Sequence, residues 1–265
     1  MAEIAGPVAL VGSGEYLPML EHVERALLGG RPSRFVQLAT AAAPEGSRVL
    51  GQWHDLGAQA AARLGVEQVV VPVVDRASAA DPAHAALVEG AGLVYLSGGN
   101  PRFLVETLRD TPVWAAIVAA WRGGAALAGC SAGAMALSAS LPDLRHLWKP
   151  ALAGLGVVPM VEVLPHFDAF AARMPDLVLR RVSGAPPGVR VIGIDEDTAL
   201  VGGLDGWSGT PDDGTPDDGT PDDGTPDGGP AGRGSIWQVM GRQSAWVLEP
   251  SGRREVPCGG TVTLT

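Results

Sequence analysis

Short apolar runs, most of them closed by Gly, Ser or Thr and each followed by a helical pattern, constrain this chain more than any other feature. The runs are Pro7–Val11, Arg34–Thr40, Gln68–Val73, Gly92–Ser97 and Ala125–Ala128, and the helical patterns between them cover Tyr16–Leu28, Glu45–Leu64, Ala80–Glu89, Arg102–Arg109 and Pro112–Arg122. Continuous apolar runs of this length suit strands buried on both faces. Parallel neighbours need a crossover, usually a helix, so the alternation predicts a doubly wound α/β sheet. Further on, strands are expected near Val157–Leu164, Arg190–Ile194 and Ala199–Gly202, with a helix near Ala169–Val182. The last part, Ser235–Met240, Ser244–Leu248 and Thr261–Leu264, reads as antiparallel strands. With 265 residues and 46% apolar content, the chain is expected to form one domain over 1–265.

Residues 209–229 interrupt this pattern. Gly-Thr-Pro-Asp-Asp occurs three times and then gives way to Gly-Thr-Pro-Asp-Gly. Such a segment buries no core and repels itself, so 207–233 is expected to be a disordered acidic loop within the domain. Long surface insertions cost little closure entropy, so a tolerated expansion between two strands accounts for it. Seven aspartates of the repeat supply most of the net charge of −10. The positive charges are scattered arginines and the single Lys149, with no basic stripe for nucleic acid. No run reaches the roughly 18 apolar residues of a membrane span. The first residues lack a basic region and carry Glu3, so no secretory signal is expected. Two cysteines, Cys130 and Cys258, make neither a disulfide framework nor a zinc site, and a cytoplasmic protein is expected.

In a doubly wound sheet the site lies at the carboxyl ends of the strands. Gly12-Ser13-Gly14-Glu15, Ser97-Gly98-Gly99-Asn100 and Gly129-Cys130-Ser131 fall there. Gly129-Cys130-Ser131-Ala132-Gly133 matches G-x-S-x-G, with an apolar strand before it and the helical start Ala132–Leu137 after it. That context suits a nucleophile elbow, in which small residues flank a sharp turn that lifts Ser131 above the sheet. The alternative is a helix N-cap serine. Cys130 sits at the x position and reads as a small buried residue. The N–H groups of Ala132 and Gly99 are the expected oxyanion donors. Asn100 is either a substrate contact or the cap of the next helix.

Five histidines are present, and His22, His54 and His84 sit in helical patterns with polar neighbours. His166 ends an expected strand, where a general base belongs, while His146 lies in a loop-like stretch. An acid must hold the imidazole tautomer. Asp195, Glu196 and Asp197 are adjacent at a strand end, and Asp143 is the candidate in a different chain order.

Together these residues resemble peptidase family S51, which includes dipeptidase E and cyanophycinase. The matching pieces are Leu96–Asn100, Ala128–Ala134, His166-Phe167 and Gly193–Leu200, in order across roughly residues 7–205. The resemblance implies a class I glutamine amidotransferase-like (flavodoxin-like) three-layer α/β/α fold. It implies a serine exopeptidase or omega-peptidase acting on small peptides, often with an aspartyl residue before the cleaved bond. Ser131 matches the family nucleophile, His166 the base and Glu196 the acid of the cyanophycinase branch. The dipeptidase E branch places its acid nearer the serine, where Asp143 stands. Cyanophycinases typically carry Asp-Gln before His-Phe and an arginine soon after. Here Leu164, Pro165 and Phe170 occupy those positions, with Arg173 the nearest arginine. The β-aspartyl-arginine polymer is therefore not carried over as substrate.

The expected chemistry is acyl transfer to water by Ser131, His166 and Glu196, with Arg173 and Asn100 as substrate contacts and no metal or organic cofactor. The expected partner is a small peptide, not nucleic acid or membrane, and the oligomeric state is open, a homodimer included. Three rivals remain: an inactive member of the same fold, an amidotransferase-like domain using Cys130, and a nucleotide binder using Gly12-Ser13-Gly14. The last lacks a third glycine at the required spacing.

Overall fold

A computed structural model describes residues 5–142, 151–171, 178, 181–204 and 235–264. Asp143, His146, Arg173 and the acidic repeat lie outside these residues. The chain enters through β1 (Val8–Val11), β2 (Arg34–Leu38), β3 (Glu67–Val70), β4 (Leu93–Leu96) and β5 (Ala126–Cys130). These five strands run parallel in the order β1-β5-β4-β2-β3. Helices α1 (Glu21–Leu28) and α2 (Ser47–Leu64) follow β1 and β2. The short α3 (Arg76–Ala79) and α4 (Pro82–Ala86) follow β3, and α5 (Pro101–Leu108) and α6 (Pro112–Arg122) lie between β4 and β5. Three of these starts, those of α4, α5 and α6, pair a proline in the first turn with an Asp, Asn or Thr side-chain cap, which explains why their onsets are legible in sequence.

Alternate residues of each strand feed different cores. Val8 and Leu10 join one cluster with Leu104, Val105 and Ile117 of α5 and α6. Ala9 and Val11 join the other with Val23 and Leu27 of α1 and Ala60 of α2. The two faces of the sheet are thus both covered, giving the expected three layers of a mostly parallel α/β sheet.

After β5 come α7 (Ala132–Leu137), the small pair β6 (Ser140–Leu141) and β7 (Leu152–Ala153), then β8 (Val161–Leu164) and α8 (Phe167–Ala171). The remaining strands are β9 (Arg190–Ile194), β10 (Thr198–Gly202), β11 (Ser235–Gly241), β12 (Ser244–Glu249), β13 (Gly252–Pro257) and β14 (Thr261–Leu264). They divide between two sheets. β10, β11 and β14 extend the main sheet antiparallel beyond β1, while β8, β9, β12 and β13 form a second, four-stranded sheet. Of the chain's passages between these two sheets, two meet at one place: a first crossover, β9 to β10 through Asp195-Glu196-Asp197, and a second, β11 to β12 through Arg242-Gln243.

Several local expectations differ from the structure, among them the short α3, β6 and β7, which were not expected. The helix expected from Tyr16 begins at Glu21, because Tyr16 takes φ +66° and Pro18 opens a tight turn first. The strand expected from Val157 begins at Val161. Strand β13 was not expected, because its residues Gly252–Glu255 are exposed and charged rather than alternating.

Candidate active site

Ser131 stands between β5 and α7 with φ +49° and ψ −106°, a backbone state that L-residues rarely hold. The turn is that tight because its flanking glycines touch. A Cβ on Gly129 would lie 2.5 Å from the Gly133 carbonyl carbon, and one on Gly133 would lie 2.2 Å from the Leu96 oxygen. Ser131 makes no side-chain cap to α7. Its Oγ instead lies 3.0 Å from His166 Nε2, so the capping alternative does not describe it. His166 Nδ1 lies 2.8 Å from Glu196 Oε1. With Nδ1–H donating to that carboxylate, Nε2 keeps a lone pair toward the serine. The His166 and Glu196 side chains are 40% and 44% exposed, so the row opens to solvent. A groove of about 740 Å³ along α6, lined by Asp110, Trp114, Val118 and Arg122, holds none of these residues.

The three side chains arrive from different places. Ser131 comes from the main sheet, His166 from the end of β8 in the second sheet, and Glu196 from the first crossover between them. His166 itself has φ +51°. Its neighbour Phe167 anchors it: that ring is 1% exposed, 5.8 Å from the Trp246 ring and pressed on Gly193. Burying such a ring contributes about 1.5–3 kcal/mol.

The three adjacent acids do different jobs, which resolves their crowding. Asp195 is 4% exposed and accepts Trp246 Nε1 at 2.9 Å and the Ser244 N–H at 3.3 Å. Burial raises its carboxyl above the usual range. Glu196 meets His166, and Asp197 presses Oδ1 against Gly14. Two residues missed by sequence reasoning hold Glu196. Asp168 accepts the Glu196 N–H at 3.0 Å, and Gln243 Nε2 donates to Asp168 Oδ2 at 3.2 Å and to the Glu196 carbonyl at 3.1 Å. Asp168 was findable as an acid two residues after the histidine. Gln243 lies 47 residues from Glu196 and carries no local signal.

Cys130 is fully buried and its thiol donates to Glu15 Oε2 at 2.7 Å. Burial first, and then the Glu15 charge, push that thiol up, the reverse of what a thiolate nucleophile needs. The turn after β1 carries Glu15, an anion, rather than a bare glycine cradle for phosphate. Asn100 caps α5 through Oδ1, which accepts the Phe103 N–H at 3.0 Å. Among the described residues, the Gly99 and Ala132 N–H groups have no acceptor, and no three His, Cys, Asp or Glu side chains converge as for a metal. No described helix is long and apolar enough to cross a membrane.

The profile of peptidase family S51 matches residues 52–203. The chain belongs to peptidase family S51. Two cyanophycinases, of Trichormus variabilis and of a Nostoc species, are each 36% identical to it over 155 residues, 54% of this chain and 50% of theirs. The chain thus spans about half the length of the curated relatives it matches. A crystal structure of a peptidase from an acI-B1 actinobacterium is 34% identical, covers 99% of this chain and 98% of its own, and superposes with a TM-score of 0.80. A Listeria monocytogenes EGD-e protein named for peptidase E is 18% identical with a TM-score of 0.52, covering 74% of this chain and 94% of its own, and speaks for the fold alone. Within this S51 fold the profile spans the elbow, the histidine and all three acids.

Proposed function

We propose that this chain is a serine peptidase of small peptides or isopeptides, of the aspartyl dipeptidase or cyanophycinase kind. The observation that carries the reading is the unbroken row from Ser131 Oγ through His166 to Glu196, at 3.0 and 2.8 Å, with the serine on a strained elbow. Ser131 attacks the amide carbonyl while His166 Nε2 takes its proton. The N–H groups of Gly99 and Ala132 receive the oxyanion. His166 returns the proton to the leaving amine, and water then cleaves the acyl-enzyme by the same route. Glu196 fixes the ring and balances the imidazolium. Asp143 is the alternative acid and Arg173 is assigned to the substrate, whereas Asn100 has its Oδ1 committed to the cap of α5 and has only its amide nitrogen left to offer. No cofactor enters these steps. Two free thiols suit the reducing cytoplasm as the place of action.

The test combines a fluorophosphonate probe with a dipeptide library comparing α- and β-aspartyl substrates. Ser131 should label, and Ser131→Ala should lower turnover by roughly 10³-fold or more. An enzyme that survives Ser131→Ala and dies with Cys130→Ala would be a thiol-dependent amidotransferase-type enzyme instead. A chain that neither labels nor cleaves would be a binding member of the fold.

A further inference from the structure

Four consecutive N–H groups end β4 beside the elbow, and three are already committed. Ser97 donates to the Leu38 carbonyl at 3.0 Å, Gly98 to Glu15 Oε1 at 2.9 Å and Asn100 to the Ala41 carbonyl at 2.8 Å. Gly99 has φ +137°, and a Cβ there would lie 2.4 Å from the Ala41 oxygen, so only glycine fits. Its N–H is the one of the four without an acceptor among the described residues. A side-chain anion supplies the second of these ties. Glu15 is 6% exposed, and its other oxygen holds the thiol of Cys130, the residue before the nucleophile. The carboxylate reaches the back of the site: a Cβ on Gly98 would lie 3.1 Å from Glu15 Oε1 and 3.6 Å from Ser131 Cβ.

We propose that Glu15 is a positioning residue for the oxyanion loop: by taking the Gly98 N–H and the Cys130 thiol together, it locks loop to elbow and leaves the Gly99 N–H for substrate. The proposal rests on the serine-hydrolase reading. The physical need is clear from the sequence. Two glycines in a row leave the Gly98–Gly99 peptide free to rotate, and rotation would turn the Gly98 carbonyl toward the serine in place of the Gly99 N–H. A buried acceptor on the Gly98 N–H holds the peptide before that one, as the Ala41 carbonyl on the Asn100 N–H holds the peptide after it, so the rotation is restrained before substrate arrives, as a preorganised oxyanion site requires. The negative charge is no help to a nearby oxyanion, so the acceptor, not the charge, is the part that matters.

Glu15→Gln keeps an oxygen for Gly98, turns an amide N–H toward the Cys130 sulfur in place of the thiol's acceptor, and drops the charge. Glu15→Leu keeps the bulk and drops the acceptor, and Glu15→Asp shortens the reach in case the leucine variant does not fold. With a fluorophosphonate probe, Glu15→Leu or Glu15→Asp should slow the maximal labelling rate at least tenfold with half-saturation within threefold, and Glu15→Gln should recover most of that rate. In the same proteins, amide exchange of Gly98–Asn100 should accelerate about tenfold in Glu15→Leu but not in Glu15→Gln, with β1, β4 and β5 unchanged. Equal labelling rates in all variants, or a glutamine variant as slow as the leucine one, overturn the proposal. If the wild-type serine does not label at all, the hydrolase reading falls, and the exchange at Gly98 alone decides whether Glu15 holds the loop.

Discussion

The two halves of the site are held by different forces. Apart from the Glu15 tie, the nucleophile half is fixed by backbone: Gly129 touches Gly133, Gly133 touches the Leu96 carbonyl, and the parallel strands β1, β5 and β4 run beneath. The histidine–acid half is fixed by side chains: Asp168, Gln243, Trp246 and Phe167 brace two turns that belong to different sheets. Steric contact tolerates almost no substitution but needs no partner. A polar brace tolerates shape change but depends on charge and pairing. The same active row therefore has one end that fails by overpacking and another that fails by unpairing.

That contrast can be pressed from both ends, beginning where the effect is largest. Glu162 is fully buried in β8, the strand that delivers His166, and accepts Ser140 Oγ at 2.5 Å besides pairing with Arg181. Removing the partner of a buried charge typically costs about 3–5 kcal/mol. Arg181→Met should lower unfolding free energy by that order in urea titrations, and Arg181→Met with Glu162→Leu should recover much of it. A single mutant as stable as wild type breaks the claim that pairing supports the histidine half.

Next comes a place, besides Glu15, where the nucleophile half departs from its own rule. Glu24 is 1% exposed, its Oε1 accepts the Tyr16 N–H at 3.1 Å and its Oε2 has no hydrogen-bond partner. Burial raises it from 4.5 to about 7. The folded chain then binds a proton that the unfolded chain has released. The resulting stability is full below pH 4.5 and is lost as pH rises through about 7. The expected loss is about 1–3 kcal/mol, read as unfolding free energy at pH 5, 6, 7 and 8. Glu24→Gln should flatten that slope, and a slope that persists assigns it to other groups.

The smallest effect sharpens the catalytic side. Gln243→Ala removes both donations to the Asp168–Glu196 turn and should cost roughly tenfold in turnover, about 1.4 kcal/mol, with substrate half-saturation and melting temperature little changed. A loss confined to half-saturation would place Gln243 on the substrate instead.

The two halves also differ in how legible they are. The elbow is local: strand, five residues and helix are contiguous, so Ser131 and its glycines can be read directly. The parallel strands are equally plain, since each is a short apolar run before a helix. The second sheet is not. β9 and β10 are both short apolar runs three residues apart, and nothing within either says that one pairs with β8 and β12 and the other with β1. That choice is made by distant partners. Residue chemistry alone left Asp195, Glu196 and Asp197 as equal candidates, and the family pattern singled out Glu196. Their distinct surroundings depend on Trp246, Ser244 and Gln243, which reach the turn only through the second crossover. Asp143 and Arg173 lie outside the described residues.

The direction of β10 carries one more consequence. It leaves the Asp195–Asp197 turn at Thr198 and ends at Gly202, opposite Val8, the first residue of β1. β11 starts back from that same remote edge, with Trp237 across from Gly202. The facing ends of β10 and β11 thus lie at the far rim, roughly 13 Å of strand away from the proposed site. A change of chain length between those two strand ends would therefore enter the fold on the side of the sheet opposite the proposed site.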